Sequence, residues 1–493
     1  MVDVTGAGGV PGGFVGVAAA IVAGTRRDTH RAVVHVGRTG FVAPRMRRTT
    51  AVVAALLLAA ALTGCTPDGQ TPPATTTTAI AGPSQVTLAV YGPDPVISAY
   101  TAIAARFSAD HPTISVNVRP YPDHATAMAA LRKDIGTPRA PDIFLSGEDD
   151  LEWLRAAKAT QDVDKMLSDR NIDFGDGYER VGLEAFSADS ALQCMPVDVS
   201  PLVVYYNARL VHLAKIRPPG QKPPNSDDGW RMADFATAAR QASTGGNRGV
   251  YVDPDLHQIA PFVLSGGGQV VDDTADPTRL DLSSGASQDA MRQLLQVVRN
   301  PALTFTSKQL AKRDAVARFK SGHLGMILGD RSLTPELRQQ EGLIFGVMPM
   351  PRLGTPATTA DVSGFCVRPD IDNKSAVADV LAYLVDTEAS KLLAATGYIT
   401  PANLDALFSE EFTQPTEDPI GSGVFASQLR FVRDLPDTEA WDRVRTATAV
   451  RLSRLFNDPV IDPLEDRLKA IDDASKVLLV PSPSASPSAS PSG

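Results

Sequence analysis

The chain has 493 residues, 47 of them Lys or Arg against 56 Asp or Glu, for a formal net charge of −9 with 43% hydrophobic and 6% aromatic residues. Removing residues 1–64, which hold seven basic and two acidic side chains, leaves 40 basic against 54 acidic and a net charge near −14. Such a balance excludes the basic clusters through which nucleic acid is bound, and it suits a soluble secreted body.

The chain opens on GAGGVPGG at 6–13, a superficial likeness to a phosphate loop with no strand before it and no Gly-Lys-Ser/Thr after it. Next come Met46, Arg47 and Arg48, the apolar run Ala51 to Leu62, and Leu62-Thr63-Gly64-Cys65. A charged start, a short apolar stretch and small residues make a secretory signal, too short for the roughly 20 residues that a membrane-crossing helix needs. The quartet resembles the bacterial lipobox, which implies that Cys65 carries a diacylglyceryl anchor; the alternative is an ordinary signal beside an incidental cysteine. On this reading residues 46–64 are the signal, the start is expected at Met46, and 1–45 are a mis-assigned extension.

From Cys65 to residue 85 a Pro/Thr-rich tract reads as a tether, and 479–493, ending PSPSASPSASPSG, as a disordered tail. A coil of about 20 residues reaches roughly 25 Å, which lets the folded part stand off a membrane. The nearly 400 residues between are about right for two lobes.

VTLAVYG (86–92) reads as a strand, VISAYTAIAARFSADHP (96–112) as a helix stopped by His111-Pro112, ISVNVRPY (114–121) as a strand, ATAMAALRKDI as a helix and PDIFLSG (141–147) as a buried strand. This alternation predicts an α/β fold with a mostly parallel sheet, whose ligands gather at the carboxyl ends of the strands. Tyr91, Asp94, Glu148, Asp149 and Asp150 fall at such ends.

The segments RFSADHPTISVNV, APDIFLSGEDDLEWL, CMPVDVSPLVVYYNARL, GWRMADFATAAR, FVLSGGGQVVDD, ARFKSGHLGMILGD, VMPMPRLG, SGFCVRPD and GYITPAN follow one another in an order that resembles the extracellular solute-binding proteins of ABC importers. The likeness is to the large family that includes the maltose-binding protein, and it spans nearly all of 86–475. It implies a two-lobed periplasmic-binding-protein-like fold: lobe 1 from 86–196 and about 366–425, lobe 2 from 204–363 and about 426–478, closing on a solute between them. MPVDVSPLVVYYN would carry the chain across and SGFCVRP would bring it back beside it. Cys194 and Cys366 lie in these paired segments, so a disulfide is expected at the hinge, stiffening it, with two free buried thiols as the alternative.

By position in the family pattern, the ligand-binding candidates are Tyr91, Asp94, Glu148 and Asp149 from lobe 1, Asp198 and Ser200 from the crossing, and Gly267, Asp330, Arg331 and Phe365 from lobe 2 and the return strand. Tyr398 either lines the cleft or packs the lobe, and Glu148 to Asp150 equally suit a solvated helix start. Trp230 and Trp153 read as packing residues. Where sugar-binding relatives often place a Trp, this chain has Gly329, Asp330, Arg331, and an Arg there suits a two-pronged pair with a carboxylate or phosphate, or stacking of its plane on a ring.

No catalytic residue, metal ligand or cofactor is expected. Glu148 and Asp149 are adjacent and make a poor acid–base couple for a hydrolase, and the histidines 111, 124, 212, 257 and 323 lack metal spacing. The tract 169–180 mimics a calcium loop but has Phe174 and Arg180 where Gly and Glu are required. The resemblance implies a monomeric, lipid-anchored receptor on the outer face of the cytoplasmic membrane, capturing a small polar solute, a sugar being favoured, for the transmembrane subunits of an ABC permease. A sensor or adaptor without transport is the second reading.

Overall fold

Tyr91 and Tyr121 end side by side because the strands that carry them, Ser84–Tyr91 and Ile114–Tyr121, pair in parallel from Ser84 opposite Ile114 onward. The computed structural model describes residues 84–479 except 173–174, 275 and 437–438. Residues 1–45, the signal 46–64, Cys65, most of the tether and the tail from 480 lie outside the described residues. All described residues belong to one compact unit, and no helix among them is long and apolar enough to cross a membrane.

The first strand starts two residues earlier than its hydrophobic run, taking Ser84 and Gln85 from the tether, and buries Val86, Leu88 and Val90 completely. After it, Pro93 fixes the backbone for a helix over Asp94–Asp110, which ends at His111 because the residue before Pro112 is pushed out of the helical region. Tyr100, Ile103 and Phe107, spaced three and four apart, face the sheet. Helix His124–Asp134 is capped by the Asp123 carboxylate, which accepts from Thr126 N at 2.7 Å.

Five strands form the first sheet in the order Ile114–Tyr121, Ser84–Tyr91, Ile143–Gly147, Ala360–Val367, Cys194–Pro201. Only the first three are parallel; the last two pair antiparallel, so the expected parallel sheet ends where the crossing strands enter. The second sheet has the order Phe345–Met348, Val203–Asn207, Leu324–Gly329, Arg248–Tyr251, and only its last pair is parallel. Strands left by antiparallel neighbours cannot be told from sequence alternation, because pairing direction depends on partners far along the chain.

Leu202 alone separates a strand of the first sheet from a strand of the second. It is gripped by the returning chain: its N–H donates to Thr359 O at 2.9 Å and its carbonyl accepts from Thr358 Oγ1 at 2.6 Å. Two chain crossings joined by direct hydrogen bonds make a narrow connection between the sheets.

Cys194 and Cys366 are bonded, with Cα atoms 4.2 Å apart and neither side chain exposed. Their location corrects the hinge expectation. The crossing lies at the Pro201–Ala360 end of the paired strands and the disulfide at the Cys194–Cys366 end, roughly 20 Å away at about 3.3 Å per residue. The bridge staples the interior of the first lobe.

Two hydrophobic clusters fill the unit. One gathers Leu88, Phe107, Leu145 and Leu381 and reaches under the second sheet through Tyr205 and Phe345. The other centres on Phe235, Phe262, Met291 and Leu294, sealed by Leu452 and Leu468 of the C-terminal helices Glu439–Asn457 and Leu464–Leu479. Trp230 is 1% exposed and its indole donates to Pro349 O at 2.8 Å, and Trp153 packs under Arg132, 4.1 Å from the ring centre. Of the calcium-like tract, Asp169 is held by Lys165 at 3.0 Å, while Asp173 and Phe174 lie outside the described residues.

Candidate functional site

A cavity of about 370 Å³ opens where the carboxyl ends of the first-sheet strands meet the crossing strands and the second sheet. The first sheet supplies Tyr91 from the end of its strand, and Glu148 and Asp149 from the short helical turn after Gly147. His124, at the start of its helix, stands edge-on to Tyr91 with ring centres 5.2 Å apart. The crossing strands supply two cross-strand pairs, Asp198 opposite Ser363 and Ser200 opposite Asp361. Asp330 and Ser332 come from the end of Leu324–Gly329 in the second sheet.

A register shift between Ser363 and Gly364 leaves Val197 as an extra residue in the Cys194–Pro201 strand. Bulges of this kind re-aim side chains beside binding sites. The segment around Thr400 holds the bulge in place: Thr400 O accepts from Val199 N at 2.9 Å and Val197 O accepts from Ala402 N at 3.1 Å. Thr400 N donates to Asp198 Oδ1 at 2.8 Å, and Ser200 Oγ donates to the same oxygen at 2.7 Å. The TPAN stretch thus positions Asp198.

Electrostatics follow from crowding of acids in a recess. Burial pushes the Asp198 carboxyl up to about 8, against the lowering effect of its two hydrogen bonds. Burial, then the Asp361 charge, raises Asp330; burial, then Asp361 and Asp442, raises Asp149. Tyr91 is raised well above its ordinary value by burial, then by Tyr100 and the Asp150 charge. His124 is raised by its hydrogen bond to Asp150, Nε2 to Oδ2 at 2.5 Å, and Ser146 Oγ donates to the same oxygen at 3.1 Å.

A second cavity of about 520 Å³ adjoins the first, sharing Glu148, Asp149, Asp361 and Val362 with it. His257, Trp441 and Arg445 line it from the second lobe. The two hollows thus share a wall, and Trp441 lines the second while packing into the second hydrophobic cluster. Among the described residues no group of three or more His, Cys, Asp or Glu is placed to hold a metal ion.

Of the residues expected from sequence, Tyr91, Glu148, Asp149, Asp198, Ser200 and Asp330 are brought together in the first cavity. Five are not. Asp94 is exposed in the first turn of its helix, where a carboxylate complements the helix dipole. Gly267 adopts φ +81° in the turn after helix Leu256–Ser265, so it serves chain reversal. Phe365 is fully buried two residues beyond Ser363, covered by Tyr100 with ring centres 5.6 Å apart. Tyr398 packs on the first hydrophobic cluster.

Arg331 points the opposite way from Asp330. It is fully buried, with Nη2 donating to Phe412 O at 2.9 Å and to Gln414 Oε1 at 3.2 Å, and its guanidinium lies 5.0 and 5.2 Å from the rings of Phe412 and Phe425. The expectation that it meets an anionic ligand is corrected by this packing. Replacement by an apolar residue of similar length, Arg331→Met, is expected to leave solute affinity within about twofold, since buried ion-to-apolar exchanges act on stability. Titration calorimetry of the variant checks it; a loss of about tenfold would return Arg331 to the site.

His124, Ser332, Asp361, Ser363, Trp441 and Arg445 were missed. Trp441 carried a signal, being one of only three tryptophans; the others reach the cavity through pairing and helix placement that no local pattern encodes.

Residues 102–419 match the family model described as bacterial extracellular solute-binding protein, and the chain belongs to that family. Among solved structures it is similar to an ABC substrate-binding protein of Listeria monocytogenes in complex with cycloalternan, at TM-score 0.67 and 19% identity over 80% of this chain and 98% of that one. It is also similar to the sugar-binding protein MalE of Xanthomonas citri, at TM-score 0.68 and 16% identity over 80% and 97% of the two chains. The GacH receptor of Streptomyces glaucescens, solved unliganded and with acarbose, matches at TM-score 0.64 and 18% identity over 80% and 98%. At such identities the likeness is one of fold: two lobes of mixed helix and sheet. No curated protein matches the sequence closely enough to count as a relative.

Proposed function

We propose that the protein is the solute receptor of an ABC importer, held at the outer face of the cytoplasmic membrane through lipid on Cys65, and that it captures a hydroxyl-rich solute of oligosaccharide size. One observation carries this reading: the cavity draws its lining from both sheets and from the strands that join them. A solute touching Glu148 and Asp149 on one side and Asp330 on the other gains its full contacts only when the lobes approach, which is how a ligand biases closure. The volume falls within the range of small-molecule sites, and the adjoining hollow gives room for a second ring.

The function needs no catalytic group. Glu148 and Asp149 are sequence neighbours on one turn, and a hydrolase would need its two carboxyls on opposite sides of the scissile bond. The receptor acts as a monomer and presents the closed form to the permease.

The test is thermal unfolding and small-angle scattering of the purified chain against mono- and oligosaccharides, amino sugars, amino acids and short peptides. A solute at about 100 times its dissociation constant is expected to stabilise the folded state by about 2.7 kcal/mol and to shrink the radius of gyration. If no solute changes either, the receptor reading is wrong.

A further inference from the structure

The cavity and the family define where a solute sits; the charge of the lining decides what kind of solute it is. Glu148, Asp149, Asp198, Asp330 and Asp361 all line the first cavity, and among the described residues no lysine or arginine does. The cationic groups nearest these acids are each held by a carboxylate, and Arg155, which lines the adjoining hollow with Glu148, is held by Asp189. His124 is bonded to Asp150, His257 Nδ1 stands 3.9 Å from Asp361 Oδ1, and Arg445 is paired with Asp255 at 3.4 Å while its field also reaches Asp149. Asp150 and Asp442 add further negative charge beside them.

We propose that the solute carries an ammonium group on a hydroxyl-rich frame, the chemistry of an amino sugar or aminocyclitol. The proposal rests on the receptor reading above and narrows its ligand class. Closing the lobes expels water and lowers the local dielectric, so repulsion among the carboxylates grows unless the ligand brings opposite charge. A neutral sugar donates hydroxyl hydrogens to those oxygens but brings no opposite charge, so the site must take up protons instead. An ammonium group compensates the charge and donates three hydrogen bonds at once. The hydroxyls of Tyr91, Ser332 and Ser363 remain for the neutral part of the frame.

The two ligand classes impose opposite pH dependence. Asp198 and Asp330 hold their protons more tightly than free carboxyls. A neutral solute that buries them further favours proton uptake, and its affinity rises as pH falls. A cation favours the ionised forms, releases protons, and its affinity rises with pH. Facing these carboxyls are Tyr91, Tyr100 and Asp361, with His257 on the side of Asp330 and Ser200 and Thr400 bonded to Asp198.

The experiment is calorimetry on the full chain, purified in detergent, with three disaccharides of the same linkage: the β-1,4 dimer of glucosamine, its di-N-acetyl form and cellobiose. The sugar amines titrate near or just below an ordinary α-amino group, so titrations between about pH 4.5 and 5.5, where the diamine stays protonated, change the protein alone. The diamine is expected to bind at least about tenfold more tightly than either neutral dimer, more tightly at the higher pH, and more weakly as salt is raised. Asp330→Asn and Asp361→Asn are expected to cost the diamine about tenfold each and the neutral dimers less than about threefold, a selectivity that a structural role would not produce. Equal or tighter binding of a neutral dimer, strengthening at low pH, overturns the ammonium proposal while the receptor reading stands. Binding of spermidine as tightly as the diamine overturns the hydroxyl-rich frame, and manganese competing with the diamine at the same carboxylates overturns the proposal in favour of a metal. If none of these and no member of the wider panel binds, the receptor reading falls as well.

Discussion

The double variant Cys194→Ala/Cys366→Ala is expected to unfold roughly 4–6 °C below the parent chain, with its solute affinity unchanged. The bond closes a loop of 172 residues, for which the chain-entropy model gives about 5 kcal/mol as an upper figure. Spread over the unfolding entropy of a body this size, about 2 cal/mol/K per residue, that becomes the stated shift in midpoint. Alanine is the informative replacement because both sulfurs are fully buried, and a serine would strand a hydroxyl there. The affinity half of the expectation follows from place. The disulfide joins strands at the end far from the Pro201–Ala360 crossing, so it stiffens the interior of one lobe and leaves the crossing untouched. Scanning calorimetry with and without ligand checks both halves. A lost affinity with an unmoved midpoint would mean that the bridge governs the hinge after all.

Stability is expected to fall as pH rises from about 4 to 8, and Asp198→Asn is expected to flatten much of that slope. In the folded chain the Asp198 carboxyl titrates at about 8 against an ordinary 3.8. The folded state therefore binds the proton more tightly than the unfolded state. Its contribution is fully present below about pH 4, where both states are protonated, and is lost progressively as pH climbs through the folded value near 8. The full span corresponds to up to about 6 kcal/mol at 1.36 kcal/mol per unit. Water entering an open cavity screens the charge, so a loss on the order of 2–3 kcal/mol is expected. Asparagine keeps an oxygen to accept from Ser200 Oγ and Thr400 N, the two bonds that position the residue, and it carries no charge to bury. Denaturant midpoints at about pH 5 and pH 8.5 for parent and variant decide it. Equal slopes would place the proton elsewhere, with Asp330 next in line because burial and Asp361 raise it as well.

Several features were legible without coordinates because they are local. The helix Asp94–Asp110 stops where Pro112 requires it. The strand Ile114–Tyr121 has the bounds its alternation announces. Glu148 and Asp149 reach the cleft because they follow the carboxyl end of a parallel strand, where such sheets gather their ligands.

What escaped the sequence depends on partners distant in the chain. Arg331 follows Asp330 by one residue, yet one faces the cavity and the other sinks between Phe412 and Phe425, more than 80 positions later. Phe365 and Asp361 share a strand, but Tyr100 covers only the first of them. Asp361 was invisible as a site residue because its role arises from pairing with Ser200. His124 and Asp150 meet only once a helix and a turn converge.

By itself, then, the sequence determined the alternation of strand and helix and the acidic character of the strand ends, and its order of segments resembled that of two-lobed solute-binding proteins. These follow from hydrophobic period, turn residues and residue order, which are properties of neighbours along the chain. Only the tertiary structure decided which acids converge on one cavity, where the disulfide lies relative to the crossing, and that Arg331 serves the core. Each of those is a matter of which faces meet, and a strand or helix fixes its own faces without fixing what packs against them.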